Sequence, residues 1–498
     1  MTARDALLAA IIDHPDEDTP RLVYADFLDE TGDRNDAARA KLIRTQIEAS
    51  RLPDAAPERG GLQKLAGALW ERHKSAWFPG IGSERLPYPE RGFIKHWGCY
   101  SAHQLAEKDA PFAREPISEL TLAVNHPAEL AGVESWPELA RIREFKVWPT
   151  TTDDDALVRL LSSPYLTGVR KLDLMGNVAR PWSPVPEAMG ILATLPQYAS
   201  LVDLSVTHAE VGDEGARRLA ASPTLRRVST LGLSGCDIGP AGWASLLASP
   251  VVSSVRSLGL GGAARTDEAG EALAAALAGS PELTQLESIA LDETAFTDRA
   301  ARALAGGSWP AFKRLLICPH PVNHSDQVTG YSTMTARGIE SLAAAAWATT
   351  IESLYLSSHA IGDAGAAALA RGRRLQNLRS LTLMDTGITG RGIATLVEAY
   401  AGQLELLQLA RNPLGDPGAE AIARAAWPRM VPQPAGVEYS QRGILVALCG
   451  IGEAGAKALA RSVSIPREIP DLFLGYAPVS DSVVARLRAR FPNATIRY

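Results

Sequence analysis

The sequence predicts an α/β repeat fold preceded by a small all-α module, and three observations support this prediction. A strand-turn-helix motif recurs thirteen times between residues 117 and 498, most often at intervals of 27 residues. The first fifty residues instead show three short runs in which apolar residues follow helical spacing. The chain has 498 residues, of which 46% are apolar and 21% are charged, a composition typical of a soluble, well-packed protein.

The repeat follows the template L-x-x-L-x-L-x-x-(N/C/T/H)-x-I-G-D-x-G-x-x-x-L-A, and residues 351–370 match it most clearly. In this copy Leu354 and Leu356 alternate along a short strand and face the core. Gly362 permits the turn, and Asp363 is expected to cap the helix that follows it. Strand and helix therefore share one core in every repeat. The copies begin at Ile117, Ile142, Val169, Leu201, Val228, Val255, Leu286, Phe312, Ile351, Leu378, Leu404, Gln441 and Ile469.

This pattern resembles the ribonuclease-inhibitor class of leucine-rich repeats over residues 117–498. The resemblance implies a right-handed, horseshoe-like solenoid in which parallel strands line a concave face and helices lie outside. In that class the concave face and its adjoining loops usually bind a protein partner, and some members regulate small GTPases. The fold does not by itself identify the partner.

Residues 1–50 differ from the repeats in charge and in pattern. Eleven acids against six bases give this segment a charge of -5, nearly the net charge of -6 of the whole chain. Three helices are predicted, and the segment LLAAIIDHPDEDTPRLVYADFLDETGD resembles the bacterial repeat-companion domain, a short module that precedes repeats. The resemblance implies an association with repeats and brings no known activity. The matching residues are Pro15, Asp16, Arg21, Leu22, Tyr24, Ala25, Asp26, Leu28, Gly32 and Asp33.

Residues 51–116 are predicted to form a linker and an N-terminal cap. Residues 51–60 are rich in proline and charge, which is typical of a loop. An amphipathic stretch follows, and then the motif RGFIKHW, which contains Arg91, Gly92 and Phe93. An RGF segment also lies between the module and the repeats in the companion-domain family. We expect this region to cover the apolar end of the first repeat.

The two longest repeats have additional residues at 318–334 and 428–440, and a smaller insertion follows Asn177. Loops inserted at the rim of a solenoid often carry function. They also tolerate sequence drift, so both interpretations stay open.

The repeat register places the residues that flank the core leucines on the predicted concave face. Large side chains at both ends of that face would suit anchors for a protein partner, because exposed apolar residues often mark interfaces. The alternative is that loops or the cap cover them. In the repeat that begins at Leu378, the register indicates Met384 as a concave residue. The candidate partner-binding residues are Trp148, Met175, Leu316, Tyr355, Gln408, Leu445 and Phe473.

One cluster contains the ligand types of a metal site. The segment CPHPVNHSD holds Cys318, His320 and His324, and His359 occupies in the next repeat the position that His320 has in its own. Zinc prefers such nitrogen and sulfur ligands. The spacing matches no standard zinc pattern, however, and a polar loop is the simpler interpretation.

The four cysteines lie at wide intervals, which predicts neither a disulfide framework nor an oxidising compartment. Cys236 and Cys449 occupy the repeat position of Asn412. In this repeat class that position satisfies backbone groups at the turn, so we expect these two cysteines to be structural.

These features predict a cytoplasmic, non-enzymatic scaffold that binds a protein partner, with the acidic module as a second contact. No catalytic motif or membrane-spanning segment is recognisable, and the net charge of -6 argues against nucleic acid as the main partner. We expect a monomer without a cofactor. Two alternatives stay open. One is a regulatory subunit that acts on an enzyme such as a small GTPase through Arg411, and the other is a metal-dependent enzyme centred on the histidine cluster.

Overall fold

The computed structural model confirms an α/β architecture in which short strands alternate with helices. It describes residues 2–53, 56–78, 86–100, 109–123, 130–148, 154–176, 185–319, 333–371, 374–428, 443–475, 479–492 and 495–497. The chain divides into two compact units, Met1–Trp182 and Ser183–Tyr498. No helix within the described residues is long and apolar enough to cross a lipid bilayer.

The described part of the first unit begins with helices and continues with parallel strands. Residues 57–60, expected as a loop, form the first turn of a helix, because the fixed φ of Pro57 suits the first helical position. The helices are α1 Ala3–Asp13, α2 Asp18–Glu30, α3 Arg34–Arg51, α4 Pro57–Trp77, α5 Asp109–Arg114 and α6 Asp154–Leu161. The strands are β1 His96–Cys99, β2 Glu119–Leu122, β3 Glu144–Val147 and β4 Lys171–Met175.

The second unit repeats one strand and one helix. Its strands are β5 Asp203–Thr207, β6 Thr230–Gly232, β7 Ser257–Gly259, β8 Ser288–Asp292, β9 Arg314–Cys318, β10 Ser353–Tyr355, β11 Ser380–Thr382, β12 Leu406–Gln408, β13 Gly443–Leu445, β14 Asp471–Phe473 and β15 Thr495–Arg497. Its helices are α7 Val185–Thr194, α8 Gly212–Ala220, α9 Pro240–Leu247, α10 Asp267–Gly279, α11 Asp298–Leu304, α12 Ala336–Ala344, α13 Gly362–Ala370, α14 Gly390–Tyr400, α15 Gly415–Arg424, α16 Glu453–Arg461 and α17 Asp481–Arg490.

Each strand of the second unit pairs in parallel with the strand of the next repeat. Leu354 lies in register with Leu315 on one side and with Leu381 on the other. Leu354 and Leu356 are buried, whereas Tyr355 between them is half-buried. Alternate side chains therefore point to opposite faces of the sheet. We call the face that points away from the helices, and that carries Tyr355, the open sheet face.

Two strands lie outside the thirteen repeats read from the sequence. Strand β1 follows the RGF segment and pairs with β2 of the first repeat, with His96 beside Glu119. Strand β15 pairs with β14 of the last repeat. Neither strand carries the L-x-L spacing of the template, so the motif did not reveal them.

The RGF turn packs against the helical module, and the same segment continues into β1, which pairs with the first repeat. Phe93 lies in the module core, which it shares with residues such as Tyr24 and Ile43. The Gly92 N–H donates to Gln46 Oε1 at 2.6 Å, and a Cβ on Gly92 would lie 2.1 Å from Ile43 Cγ1. Glycine is required here by this close approach and by a φ of 85°.

A buried ion pair connects the module to the segment before the first repeat. Arg39 Nη2 donates to Glu115 Oε1 at 2.6 Å, and the Ile94 N–H donates to Glu115 Oε2 at 2.7 Å. Glu115 is completely buried. The Arg39 guanidinium also lies 5.0 Å from the centre of the Phe93 ring, a cation–π contact. Removing either charge would leave the other buried without its partner.

The acidic surface of the module is partly neutralised by its own arginines. Arg44 contacts Asp26 at 2.7 Å and Asp29 at 2.6 Å. Arg91 of the RGF turn contacts Asp18 at 3.1 Å and also donates to the Asp16 carbonyl at 2.8 Å. Several of the module's acids therefore serve internal contacts.

The aspartate of the I-G-D-x-G motif caps the helix of the next repeat and not its own, which corrects the expectation for Asp363. Asp363 Oδ1 accepts the N–H groups of Thr389 at 2.8 Å and Gly392 at 3.1 Å, both at the start of α14. A Cβ on Gly392 would lie 2.4 Å from Asp363 Oδ1, so the second glycine of the motif makes room for this cap. Asp213, Asp298 and Asp416 cap α9, α12 and α16 in the same way.

The RGF contact yields a stability prediction. We expect Gly92→Ala to destabilise the first unit by about 1–3 kcal/mol, because the new methyl group collides with Ile43 and strains the backbone. Thermal unfolding of the full chain measures the change. Gly67→Ala in α4 is the matched control, since its Cβ meets nothing within 4 Å. Equal melting curves for the two variants would contradict this packing.

The inter-repeat cap yields a pH-dependent prediction. Burial alone would raise the pKa of the Asp363 carboxyl, but hydrogen bonds from Thr389 and Gly392 outweigh it and hold this pKa below its usual value of 3.8. Because the folded-state pKa is lowered, the stabilisation is complete above the unfolded pKa and disappears as the pH falls through the folded one. Asp363→Ala should therefore cost about 1–2 kcal/mol at neutral pH and less near pH 3.

Urea unfolding at the two pH values measures this difference against wild type. Glu268→Ala is the control, since Glu268 is an exposed acid in the first turn of α10. An equal loss in both variants, or a loss for Asp363→Ala that does not depend on pH, would show that the cap between repeats has no special role.

Candidate protein-binding surface

The strand register of the second unit brings one residue from the middle of each strand into a row on the open sheet face. Adjacent strands lie about 4.8 Å apart, so the six strands from β9 to β14 span about 24 Å. We call this set the strand-centre row. Its members are Ser205, Gly232, Gly259, Ala290, Leu316, Tyr355, Thr382, Gln408, Leu445 and Phe473.

The two halves of this row differ in side-chain size. From β5 to β8 the row consists of serine, glycine and alanine, whereas from β9 onward its residues are larger. Leu316 and Tyr355 are direct neighbours in register, and both are half-buried. Gln408 and Phe473 are also half-buried. These four predicted residues lie on one continuous part of the open sheet face.

The structure corrects two predictions, the exposure of Leu445 and the position of Met384. Leu445 occupies the row between Gln408 and Phe473 but is only 7% exposed, so it offers little area to a partner. Strand pairing places Thr382, and not Met384, beside Tyr355 and Gln408. Counting from the core residue Leu381 would have identified Thr382, because the row residue always follows the first core leucine of the strand.

Trp148 and Met175 lie in the first unit and are not members of the strand-centre row. Met175 ends β4, and Trp148 follows directly after β3. Both side chains are half-buried. The indole Nε1 of Trp148 is buried and has no hydrogen-bond partner among the described residues. Its polar end is therefore not presented at the surface.

A buried polar residue holds the turn after each of several strands. Asn412 Nδ2 donates to the carbonyls of Leu383 at 2.6 Å and Leu409 at 2.8 Å. Its Oδ1 accepts the N–H groups of Thr386 at 3.0 Å and Ile388 at 3.1 Å. One amide thus satisfies backbone groups in two consecutive repeats.

The cysteines at this position have the structural role that the sequence predicted. Cys236 Sγ donates to the Val206 carbonyl and Cys449 Sγ to the Leu409 carbonyl, both at 3.1 Å. Burial raises the pKa of Cys236 to about 12 and that of Cys449 to about 11. Burial likewise raises the pKa of Cys99 to about 12. These thiols stay protonated at neutral pH and are therefore poor nucleophiles.

The proposed metal ligands can be placed only in part. Cys318 is buried at the end of β9, and His359 is fully buried with its Nδ1 accepting the Met334 N–H at 3.2 Å. His320 and His324 lie outside the described residues. Within the described ranges, no group of three or more His, Cys, Asp or Glu side chains could hold a metal ion.

In most repeats of the second unit, the residue just before the Asn412 position has an unusual backbone conformation that the sequence did not indicate. Just past the strand, eight repeats of the second unit place a residue with positive φ. For seven of these residues the N–H extends the ladder to the next repeat, as for Arg411 to the Ala447 carbonyl at 2.9 Å. We call this set the left-handed rim row. Its members are His208, Gly235, Gly262, Glu293, Ser358, Asp385, Arg411 and Leu448. Arg411, the residue considered for enzyme regulation, is exposed in this row.

The opposite rim, where each helix connects to the next strand, carries ion pairs between neighbouring repeats. Arg256 contacts Glu287 at 2.5 Å, and Arg379 contacts Glu405 at 3.5 Å. Such exposed pairs contribute little to stability. They make this rim polar, in contrast to the apolar half of the strand-centre row.

The buried amide at the turn yields a further prediction. Asn412→Ala should lower the free energy of unfolding by about 3 kcal/mol or more, because it leaves several buried backbone groups without partners. Chemical denaturation measures this loss. Asn377→Ala is the matched control, since Asn377 makes one exposed hydrogen bond, to the Thr349 carbonyl at 2.7 Å. Comparable losses would mean that the turn does not depend on Asn412.

Comparison with known proteins supports the repeat assignment. Residues 199–220, 348–370 and 404–423 match the leucine-rich repeat family model. No curated protein matches the chain. Similar solved structures include an internalin from Listeria monocytogenes, with 13% identity and a TM-score of 0.40 over 72% of this chain and 81% of that chain.

Two further structures have comparable similarity. A leucine-rich repeat protein from Leptospira interrogans has 13% identity and a TM-score of 0.38 over 81% of this chain and 89% of that chain. The complex of Rad7 and Elc1 from yeast has 14% identity and a TM-score of 0.40 over 93% of this chain and 87% of that chain. The strand-helix repeats, their parallel register and the family match show that the chain folds as an α/β solenoid of leucine-rich repeats.

Proposed function

We propose that the chain is a non-enzymatic scaffold that recognises a protein partner on the open sheet face of the second unit. The observation that supports this most directly is the row of large side chains from Leu316 to Phe473, which face away from the helices on neighbouring strands. Tyr355 and Phe473 are aromatic, and aromatic anchors dominate the binding energy of many protein interfaces. Gln408 between them supplies a polar group that can orient a partner, whereas Thr382 is only 4% exposed.

The proposal includes no catalytic role and no cofactor. The thiols of Cys99, Cys236 and Cys449 have raised pKa values and are buried behind backbone or apolar groups. Buried thiols also suit a reducing compartment such as the cytoplasm. We propose that the chain acts there as a monomer.

We further propose that the repeats belong to the ribonuclease-inhibitor class and that residues 1–50 form a repeat-companion domain. A regular helix in nearly every repeat supports the first assignment. The second is supported by the joint packing of Asp16 and Asp18 from the module with Arg91 from the RGF turn. We also propose that the acidic module provides a second contact to the partner.

The proposed surface predicts a clear loss of binding. Tyr355→Glu combined with Phe473→Glu should reduce capture of specific protein partners from a native lysate by at least about tenfold, because two apolar anchors become charged. Mass spectrometry of proteins bound to wild type and variant measures this ratio. The melting temperature should change little, since both side chains are only half-buried.

The matched control is Ser205→Glu combined with Ala290→Glu. It places the same charges on the part of the strand-centre row that has small side chains. This control should retain partner capture. Full-length variants are preferable to deletion of residues 1–50, because that deletion would expose Phe93 and leave Glu115 without Arg39. Normal capture by the Tyr355 and Phe473 variant, with a normal melting curve, would reject the proposed surface.

A further inference from the structure

We infer that a small cavity beside the RGF turn binds one anion of the size of chloride, held by the buried guanidinium of Arg21. The cavity lies within the first unit and has a volume of about 20 Å³, enough for one water-sized or chloride-sized species. It is lined by the turn before α2, by α2 itself, by the RGF turn and by the segments that lead into β1 and β2. The inference does not depend on the proposed function, which concerns the second unit.

Arg21 carries a buried charge and forms no ion pair within the described residues. The residue is only 3% exposed. Its Nη1 donates to the Glu17 carbonyl and its Nη2 to the Pro15 carbonyl, both of which are neutral acceptors. Its Nε is buried and has no hydrogen-bond partner among the described residues. Because a buried arginine is almost always paired with an opposite charge, this site calls for an anion.

A second guanidinium converges on the same carbonyl. Arg91 Nη2 donates to the Pro15 carbonyl at 3.3 Å, and that carbonyl also accepts Arg21 Nη2. Burial, and after it the charge of Arg91, lowers the pKa of the Arg21 guanidinium to about 10. Arg91 has a carboxylate partner of its own, Asp18 at 3.1 Å. The uncompensated charge at the cavity is therefore that of Arg21.

The other buried arginine of the module shows what Arg21 lacks. Arg39 also lies against the Phe93 ring, at 5.0 Å from its centre against 5.8 Å for Arg21. The Nε of each is buried without a partner among the described residues. Arg39, however, pairs with the Glu115 carboxylate at 2.6 Å, which outweighs burial and raises the pKa of Arg39. The two sites differ in this carboxylate, and an anion in the cavity would take its place beside Arg21.

The carboxylates next to the cavity do not take this role. Asp16 and Glu90 line it, but both residues are exposed, and water screens exposed charges much more than buried ones. Lys95, another lining cation, pairs with Glu119 at 2.7 Å. The buried charge of Arg21 thus dominates the field inside the cavity. An anion bound there would connect the turn before α2 to the RGF turn and to the segment before β2.

Thermal unfolding of the full chain tests this inference when sodium gluconate is replaced by sodium bromide at constant ionic strength. Gluconate is too large for the cavity, whereas bromide is close to chloride in size. Arg21→Met measures the general effect of bromide on unfolding, because it replaces the cation by an unbranched apolar side chain. At a bromide concentration about ten times the dissociation constant, the first unit of the wild type should gain about 3–6 °C in melting temperature over this variant.

Arg44→Gln is the matched control. Arg44 is also a cation of the module, but it pairs with Asp26 and Asp29 and does not line the cavity. This variant should respond to bromide as the wild type does. If Arg21→Met does not fold, Arg91→Gln replaces it, and the bromide concentration at half the response should rise about tenfold because a neighbouring charge is lost.

Crystals of the full chain soaked in bromide test the site without any variant. An anomalous scattering peak within hydrogen-bonding distance of the Arg21 guanidinium is the expected result. Absence of this peak would overturn the inference, since bromide would then not occupy the cavity. An equal response to bromide in the wild type and in the Arg21→Met or Arg91→Gln variant would overturn it as well.

Discussion

Hydrogen bonds between consecutive repeats are the constraint on which the second unit depends. The turn after each strand leaves backbone groups that its own repeat does not satisfy, and the neighbouring repeat supplies the partners. Asp363 caps the helix of the next repeat, and Asn412 binds backbone groups on both sides of a repeat boundary. Because a buried backbone group without a partner is costly, each repeat fixes the position of the next.

This arrangement explains how short strands can present a surface. A three-residue strand such as β10 has little stability of its own, but its ladder continues into the left-handed rim row, where the Ser358 N–H donates to the Met384 carbonyl at 2.8 Å. At the start of its helix, the Gly362 N–H donates to the Thr386 carbonyl of the next repeat at 2.9 Å. The fold is held by core leucines and turn contacts that lie on the helix side and at the rims. The half-buried residues of the strand-centre row, such as Tyr355 and Gln408, therefore contribute less to folding than the core leucines, and their identity is free to serve recognition.

The sequence predicted what depends on local periodicity. The alternation of Leu354 and Leu356 and the positions of the strands in the thirteen repeats follow from spacing. The turn role of Cys236 and Cys449 follows from the resemblance to the repeat class. It did not predict contacts between distant segments. Asp363 was assigned to its own helix because the motif is local, whereas its partners lie 26 and 29 residues later. The packing of Gly92 against Ile43 and the burial of Leu445 likewise depend on tertiary contacts. A leucine in the sequence does not indicate a positive φ, so the conformation of Leu448 could not be predicted.

Site-specific photo-crosslinking tests most directly whether partners bind the open sheet face. A photoreactive phenylalanine analogue replaces Tyr355 in one sample and Glu398, an exposed residue of the helix α14, in the other. Both variants of the full chain are irradiated in native lysate. A specific protein adduct at position 355 that is absent at position 398 is the predicted result. Adducts confined to position 398, or identical at both positions, would contradict recognition on the open sheet face.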